Sequence, residues 1–215
     1  MKNIRQVTHI VHKEIKRWIR GQKKIIVVID GYTGSGKTSV AKRLARLNPD
    51  YLVLHLDDFI KHWKTRKSMM EKAKDRSKVF EYKWYRYNDL ERLVRLFKSG
   101  ERKKIRLRVY NFTKNDFSSP KLFDLQKRVL VIEGIFLLHP RQKRNTLWDK
   151  RIFIKTNPQK AEARRIAQDK KKWGNAYLPE EHPNSYFRDF RIAYQRYLDN
   201  YSPDQKADLI IDIDT

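Results

Sequence analysis

Five short apolar runs punctuate the chain: Ile25 to Ile29, Tyr51 to Leu56, Val129 to Ile132, Ile152 to Ile154 and Leu209 to Ile213. Runs that are apolar at consecutive rather than alternate positions suit strands buried on both faces, as in a parallel sheet. Between them, helical repeats and their end signals predict four helices. They run from Lys37 to about Asn48-Pro49, from Asp89 to Phe97 with Gly100 behind, from Pro158 to about Lys171, and from Ser185 to Tyr201. Ahead of the first run, Ile4, Val7, Val11, Ile15, Trp18 and Ile19 fall at three- and four-residue steps before Gly21, predicting an amphipathic N-terminal helix over residues 1–21.

Strands alternating with helices predict an α/β fold of three layers around a mainly five-stranded parallel sheet. Residues 105–125 break the alternation. IRLRVY alternates apolar and basic side chains and KLFDL forms a second short run, which predicts a small antiparallel hairpin outside the main sheet. No internal repeat and no Pro/Gly/Ser-rich linker divides the chain, so residues 1–215 are expected to form a single domain.

Composition adds charge to this picture. Of 215 residues, 50 are Lys or Arg and 25 Asp or Glu, a net charge of +25 that points to anionic ligands. At 40% hydrophobic, the chain still has ample material for a core. The absence of cysteine removes disulfides, thiolate metal sites and thiol nucleophiles, and fits a cytoplasmic address. No apolar stretch is long enough for a membrane span. Residues 2–20 are basic and amphipathic, as a mitochondrial presequence would be; the periodicity favours a folded helix. His9 and His12 are helix neighbours without carboxylates nearby, a poor metal site.

The chemistry is concentrated where the first run ends. ID-GYTGSGKT-S matches G-x-x-x-x-G-K-[ST] between a strand and a helix, with three of the chain's seven glycines, Gly31, Gly34 and Gly36, in one loop. Such a loop, here Gly31, Tyr32, Thr33, Gly34, Ser35, Gly36, Lys37, Thr38 and Ser39, turns its backbone N–H groups toward nucleotide phosphates. Lys37 then meets the β- and γ-phosphates, and Thr38 offers a hydroxyl to Mg²⁺.

Acidic residues stand at two further strand ends. HLDDF places Asp57 and Asp58 at the carboxyl edge of the second strand, where open α/β sheets bind ligands. On an extended segment neighbours point oppositely, so one of the two is expected at the reacting centre. VLVIEG puts Glu133 at the tip of the third strand, suited to a Mg²⁺ or water ligand or, alternatively, to pairing with a cation. After the fourth strand, Arg164 and Arg165 precede Lys170, Lys171, Lys172 and Gly174, the composition of a basic lid or of a solvated basic face.

The ordered set GYTGSGKT, LDDF, VYNF, VIEG and ARRIAQD resembles the uridine kinase family of P-loop kinases over roughly residues 23–213. The resemblance implies a three-layer P-loop NTPase fold with an acceptor-binding insertion at about 59–125 and a helical lid at about 158–183. It implies a Mg·ATP-dependent phosphotransferase whose acceptor is a hydroxyl of a nucleoside or nucleoside-like compound. Carried over to this sequence, it makes Asp57 the general base, with Asp58 as the other candidate. Lys37, Arg164 and Arg165 become catalytic, Thr38, Asp57 and Glu133 the metal residues, and Tyr110 an acceptor contact.

The pattern also departs from the family. Asn111 stands where Asp is usual, Ile60 where Tyr is common, Gln168 replaces a lid Arg, and the histidine that uridine-type members carry shortly after the hairpin's Tyr-Asp is missing from NFTKNDFSS. Aromatic residues in FEYKWYRYNDLERL, Tyr85 among them, either stack on a base or anchor the insertion. Two further readings stand beside the kinase of small molecules. One is a nucleic-acid-associated protein such as a 5′-hydroxyl polynucleotide kinase, suggested by the net charge of +25 and the interleaved aromatics and weakened by the spread of the basic residues over 16–24, 61–67, 102–108, 141–144 and 170–172 rather than in one block; the other is a nucleotide-binding regulator without catalysis.

Overall fold

The computed structural model describes residues 2–140, 146–182 and 185–214, so the basic cluster at 141–144 and the expected lid boundary at 183 lie outside the described residues. The apolar runs form the sheet. Strands β1 (Ile25–Gly31), β2 (Tyr51–His55), β7 (Val129–Glu133), β8 (Lys150–Lys155) and β9 (Leu209–Asp212) assemble as a five-stranded parallel sheet in the order β2-β7-β1-β8-β9. Register aligns their carboxyl ends: Ile29 and His55 both pair with Glu133. The loops that follow β1, β2 and β7 therefore meet at one edge.

Side-chain parity explains why these runs are apolar throughout. Ile25, Val27 and Ile29 point to one face, where they meet Val7, Val11 and Ile15 of α1 (Ile4–Trp18) and Val40 and Leu44 of α2 (Lys37–Leu47). Ile26 and Val28 point to the other face, which carries Leu90, Leu93 and Phe97 of α5 (Tyr87–Ser99) and Tyr194 and Tyr197 of α7 (Phe187–Tyr201). Both faces of β1, the central strand, are therefore dry, as in the middle of a parallel sheet.

Helix α1 begins with a reciprocal capping box between Asn3 and Gln6 and ends at Trp18, short of Gly21. Helix α5 starts two residues earlier than the periodicity predicts, at Tyr87, and closes on Gly100 in the left-handed conformation. Between β2 and α5 lie two helices that the pattern did not reveal, α3 (Trp63–Glu71) and the short α4 (Arg76–Lys78), which runs on as a π turn over Val79–Lys83. Met70 is the buried residue of α3, so no apolar stripe marks it.

The excursion expected as one hairpin is two small antiparallel ladders. β3 (Lys104–Leu107) pairs with β6 (Lys121–Asp124), and β4 (Tyr110–Asn111) with β5 (Asp116–Phe117). Helix α6 (Pro158–Trp173) buries Ala161 and otherwise stands off the core, ending at Gly174. Among the described residues no helix is long and apolar enough to cross a membrane.

Candidate active site

At the carboxyl edge of β1 the chain must turn sharply into α2. Gly34 and Gly36 make the turn with φ of 75° and 87°, in the left-handed region. A side chain at Gly34 has nowhere to go: its Cβ would lie 2.1 Å from the carbonyl oxygen of Ala161 on α6. The phosphate loop and α6 thus touch backbone to backbone.

Lys37 opens α2 with a buried side chain. Its Nζ donates to the Tyr32 carbonyl oxygen at 2.7 Å and reaches Ser35 Oγ at 3.4 Å. Burial pulls the ammonium's pKa down, while Glu133, Asp30 and Asp57 oppose the shift from a distance. A desolvated cation whose direct partners are neutral oxygens fits an anionic ligand, and Lys37 lines a cleft of about 740 Å³ together with Thr33, Gly34, Gly36, Thr38 and Ser39. Gly31 closes β1 and the Ser35 side chain is buried beneath the loop. The Tyr32 ring turns away to pack on Tyr194 and Phe190, at centroid distances of 4.8 and 5.9 Å.

Beneath the loop, Asp30 is fully buried. It accepts hydrogen bonds from Gly31 N, Leu138 N and the Tyr197 hydroxyl, at 2.7, 3.0 and 2.7 Å. Burial pushes its pKa up and those three donors oppose the shift. The strand pattern gave no sign of this support, because a carboxylate at the end of an apolar run reads as the start of a loop.

The adjacent acids differ in placement, for a different reason than strand alternation. β2 ends at His55, and Leu56–Phe59 form a 3₁₀ turn, so Asp57 and Asp58 diverge by helical rotation. Asp57 opens onto the cleft while protein surrounds it; desolvation first and Glu133 second push its carboxyl up to about 6, against the Tyr85 hydrogen bond, Lys37 and Lys172. Tyr85 donates to Asp57 Oδ1 at 3.3 Å. Asp58 turns out of the cleft toward Lys121, Oδ2 to Nζ 3.6 Å.

Glu133, buried at the tip of β7, accepts on Oε1 the Thr38 hydroxyl at 2.9 Å, and His55 Nδ1 lies 2.7 Å from the same oxygen. That hydrogen bond raises the His55 pKa against desolvation. Gly134 follows because a Cβ there would meet Leu56 Cβ at 2.5 Å.

Only one of the two lid arginines reaches the cleft. Arg165 lines it, lies 3.2 Å from the centre of the Phe187 ring and pairs with Asp169 at 2.6 Å. Arg164, expected beside it, lies about 100° further round α6, where it is exposed and donates to Thr156 Oγ1 at 2.8 Å. Tyr110, expected as an acceptor contact, is also set apart. It does not line the cleft but stands behind Arg66, accepting from Nη2 at 2.9 Å. Phe80 and Trp84 do line it, stacked 4.1 Å apart. Arg66 and Lys172 are also cleft residues; α3 lacks a periodic signal, and Lys172 is one of three successive lysines.

A model of the Phosphoribulokinase / Uridine kinase family matches residues 26–213. The chain belongs to that family. The uridine kinase of Geobacillus kaustophilus is 29% identical over 161 residues, covering 73% of this chain and 72% of that protein. That of Borreliella burgdorferi (strain ZS7) is 27% identical over 189 residues, covering 86% and 85%. In fold, a protein described as a possible uridine kinase from Bacillus stearothermophilus superposes with a TM-score of 0.71 at 20% identity, over 97% of this chain and 99% of that one. As a member of the phosphoribulokinase/uridine kinase family, the chain is a P-loop kinase, a phosphotransferase acting on a small-molecule hydroxyl.

Proposed function

We propose that the chain transfers the γ-phosphoryl group of Mg·ATP to a hydroxyl of a nucleoside or nucleoside-like compound. The observation that carries this reading is the buried Lys37 ammonium, held by neutral oxygens, in one cleft with Asp57. ATP supplies the transferred phosphoryl group and Mg²⁺ the charge that neutralises its oxygens. Gly31 to Ser39 bind the phosphates through backbone N–H groups, and Lys37 balances their charge. Among the described residues no group of three or more His, Asp or Glu could cage a metal. Mg²⁺ keeps most of its waters and takes few protein ligands; the Thr38 hydroxyl, with the Glu133 and Asp57 carboxylates in the same cleft, would hold it here.

Asp57 orients the acceptor hydroxyl and takes its proton. Oδ1 is occupied by the Tyr85 donor, which leaves Oδ2 as the receiving atom. Arg165 stabilises charge on the transferring group and Tyr85 lines the acceptor side, with Asp58 and Tyr110 supporting from outside the cleft. Residues of about 59–125 form the acceptor side and α6 the lid. The stacked Phe80 and Trp84 rings offer a flat wall for a base.

The test is ADP release with Mg·ATP and a panel of nucleosides, sugars, vitamins and 5′-hydroxyl oligonucleotides. A nucleoside is expected to be turned over, and Asp57→Asn to reduce the rate by about 10² or more, with Asp58→Asn milder. Turnover confined to oligonucleotides would replace the small-molecule acceptor by a polynucleotide end. Full activity in Asp57→Asn would remove this carboxylate from the mechanism.

A further inference from the structure

We infer that the acceptor carries a negatively charged group, a carboxylate or a phosphate, which Arg66 binds at the edge of the aromatic wall. The inference rests on the reading of this cleft as the acceptor site and names the class of acceptor. Arg66 projects from α3 into the cleft, half-buried. Its guanidinium carbon lies 5.0 Å from the Trp84 ring centre and 5.1 Å from that of Tyr110. Nε donates to the Lys61 carbonyl oxygen at 2.9 Å, and Nη2 to the Tyr110 hydroxyl at 2.9 Å. Tyr110 is itself fixed, since its hydroxyl donates to Asn115 Oδ1. The fork is therefore held in one orientation before any ligand arrives.

Among the described residues no carboxylate forms an ion pair with Arg66. A guanidinium has five N–H donors, and both partners of Arg66 among the described residues are neutral oxygens, leaving three donors free. Other arginines of this region are paired: Arg165 with Asp169 at 2.6 Å and Arg196 with Glu81 at 2.9 Å. Lys172, on the α6 side of the same cleft, has its Nζ 4.1 Å from the centre of Phe112 and is already drawn electrostatically by Asp57 and Asp169. Lys37 and Arg165 are committed to the phosphoryl side and Lys172 to Asp57 and Asp169, so Arg66 is the surplus positive charge on the acceptor side. A planar fork held open and uncompensated matches the geometry of a carboxylate or phosphate, which accepts two parallel N–H bonds.

Three compounds that share the same free 5′-hydroxyl separate the possibilities: uridine, orotidine with a carboxylate on the ring, and uridine 3′-monophosphate with a phosphate on the ribose. Their affinities for the intact protein loaded with a non-hydrolysable Mg·ATP analogue are measured by calorimetry, and their turnover by ADP release. One of the charged compounds is expected to bind about 10- to 100-fold more tightly than uridine, the range of a charge-assisted pair. Whichever gains identifies the group as carboxylate or phosphate. Arg66→Gln should reduce that preference to within about 3-fold of unity, and Arg66→Lys, which keeps the charge but not the fork, should restore part of it. Thermal melting of both variants reports folding, and Arg66→Lys carries the test where Arg66→Gln does not fold.

Uridine binding as tightly as both charged compounds would overturn the inference. So would an equal loss for all three compounds in the Arg66 variants, which would make Arg66 a clamp for the β4–β5 turn. The kinase reading fails separately, by charge-selective binding without any Asp57-dependent ADP release.

Discussion

Tyr85 donates to Asp57 Oδ1 at 3.3 Å across the floor of the cleft, and the bond works against everything else that acts on that carboxyl except two lysines. Desolvation and Glu133 push Asp57 up to about 6; Tyr85, Lys37 and Lys172 pull it down. A general base must be ionised, so kcat/KM is expected to rise with pH and level off above about 6. Tyr85→Phe removes a donor to the charged form, which raises the Asp57 pKa and moves this acidic limb to higher pH. The variant should lose most activity near the limb and recover part of it by pH ~8. Profiles that superpose for the two proteins would mean that the hydroxyl does not govern the base.

Lys37→Ala should abolish turnover and weaken Mg·ATP binding by about 10-fold or more, because backbone N–H groups alone leave the phosphate charge under-compensated. The fold should tolerate the change, since a buried cation without an anionic partner is costly to keep. Calorimetry with a non-hydrolysable analogue and thermal melting check both halves. Parental turnover in the folded variant would refute the assignment of the loop.

The strands and the phosphate loop were legible in the sequence because burial left them little freedom. Both faces of β1 are covered, so Ile25 to Ile29 are all apolar, and the turn into α2 needs positive φ at Gly34 and Gly36. Elsewhere the signal was weaker for identifiable reasons. Asp57 and Asp58 diverge through a 3₁₀ turn that neither residue announces, and not through strand alternation. Arg164 and Arg165 look equivalent because α6 buries Ala161 alone and has no stripe to phase it. Arg66 lies on a helix that is held by its insertion neighbours and not by periodic apolar contacts, so its place in the cleft emerges only in three dimensions.

The difference between the two lid arginines is itself testable. Arg165→Ala should reduce kcat by about 10²-fold or more with a modest change in ATP affinity, since its charge is needed as the phosphoryl group separates. Arg164→Ala should stay within about 3-fold, because an exposed hydrogen bond to Thr156 is worth little. Steady-state kinetics with nucleotide binding on both variants distinguish them. Equal losses would mean that α6 rotates when the lid engages nucleotide, bringing Arg164 inward.

Gly34 and Gly21 form a matched pair for the contact between loop and lid. Their φ angles are 75° and 74°, so alanine pays the same left-handed strain at either position, about 1 kcal/mol. Their surroundings differ completely. A Cβ at Gly21 meets nothing within 4 Å, whereas one at Gly34 falls 2.1 Å from Ala161 O and 3.3 Å from Arg165 N. Those are backbone atoms of α6, which cannot rotate away as a side chain would. Gly34→Ala must therefore move the lid helix off the phosphate loop, carrying Arg165 with it. Turnover is expected to fall by about 10²-fold or more, as when catalytic groups are displaced by around an ångström. Gly21→Ala should keep parental kinetics and lose only the strain energy in a melting experiment. If the two variants behave alike in kinetics, the contact between Gly34 and Ala161 is not what seats the lid; if Gly34→Ala is silent, the loop is able to re-form around a side chain and its glycine is dispensable.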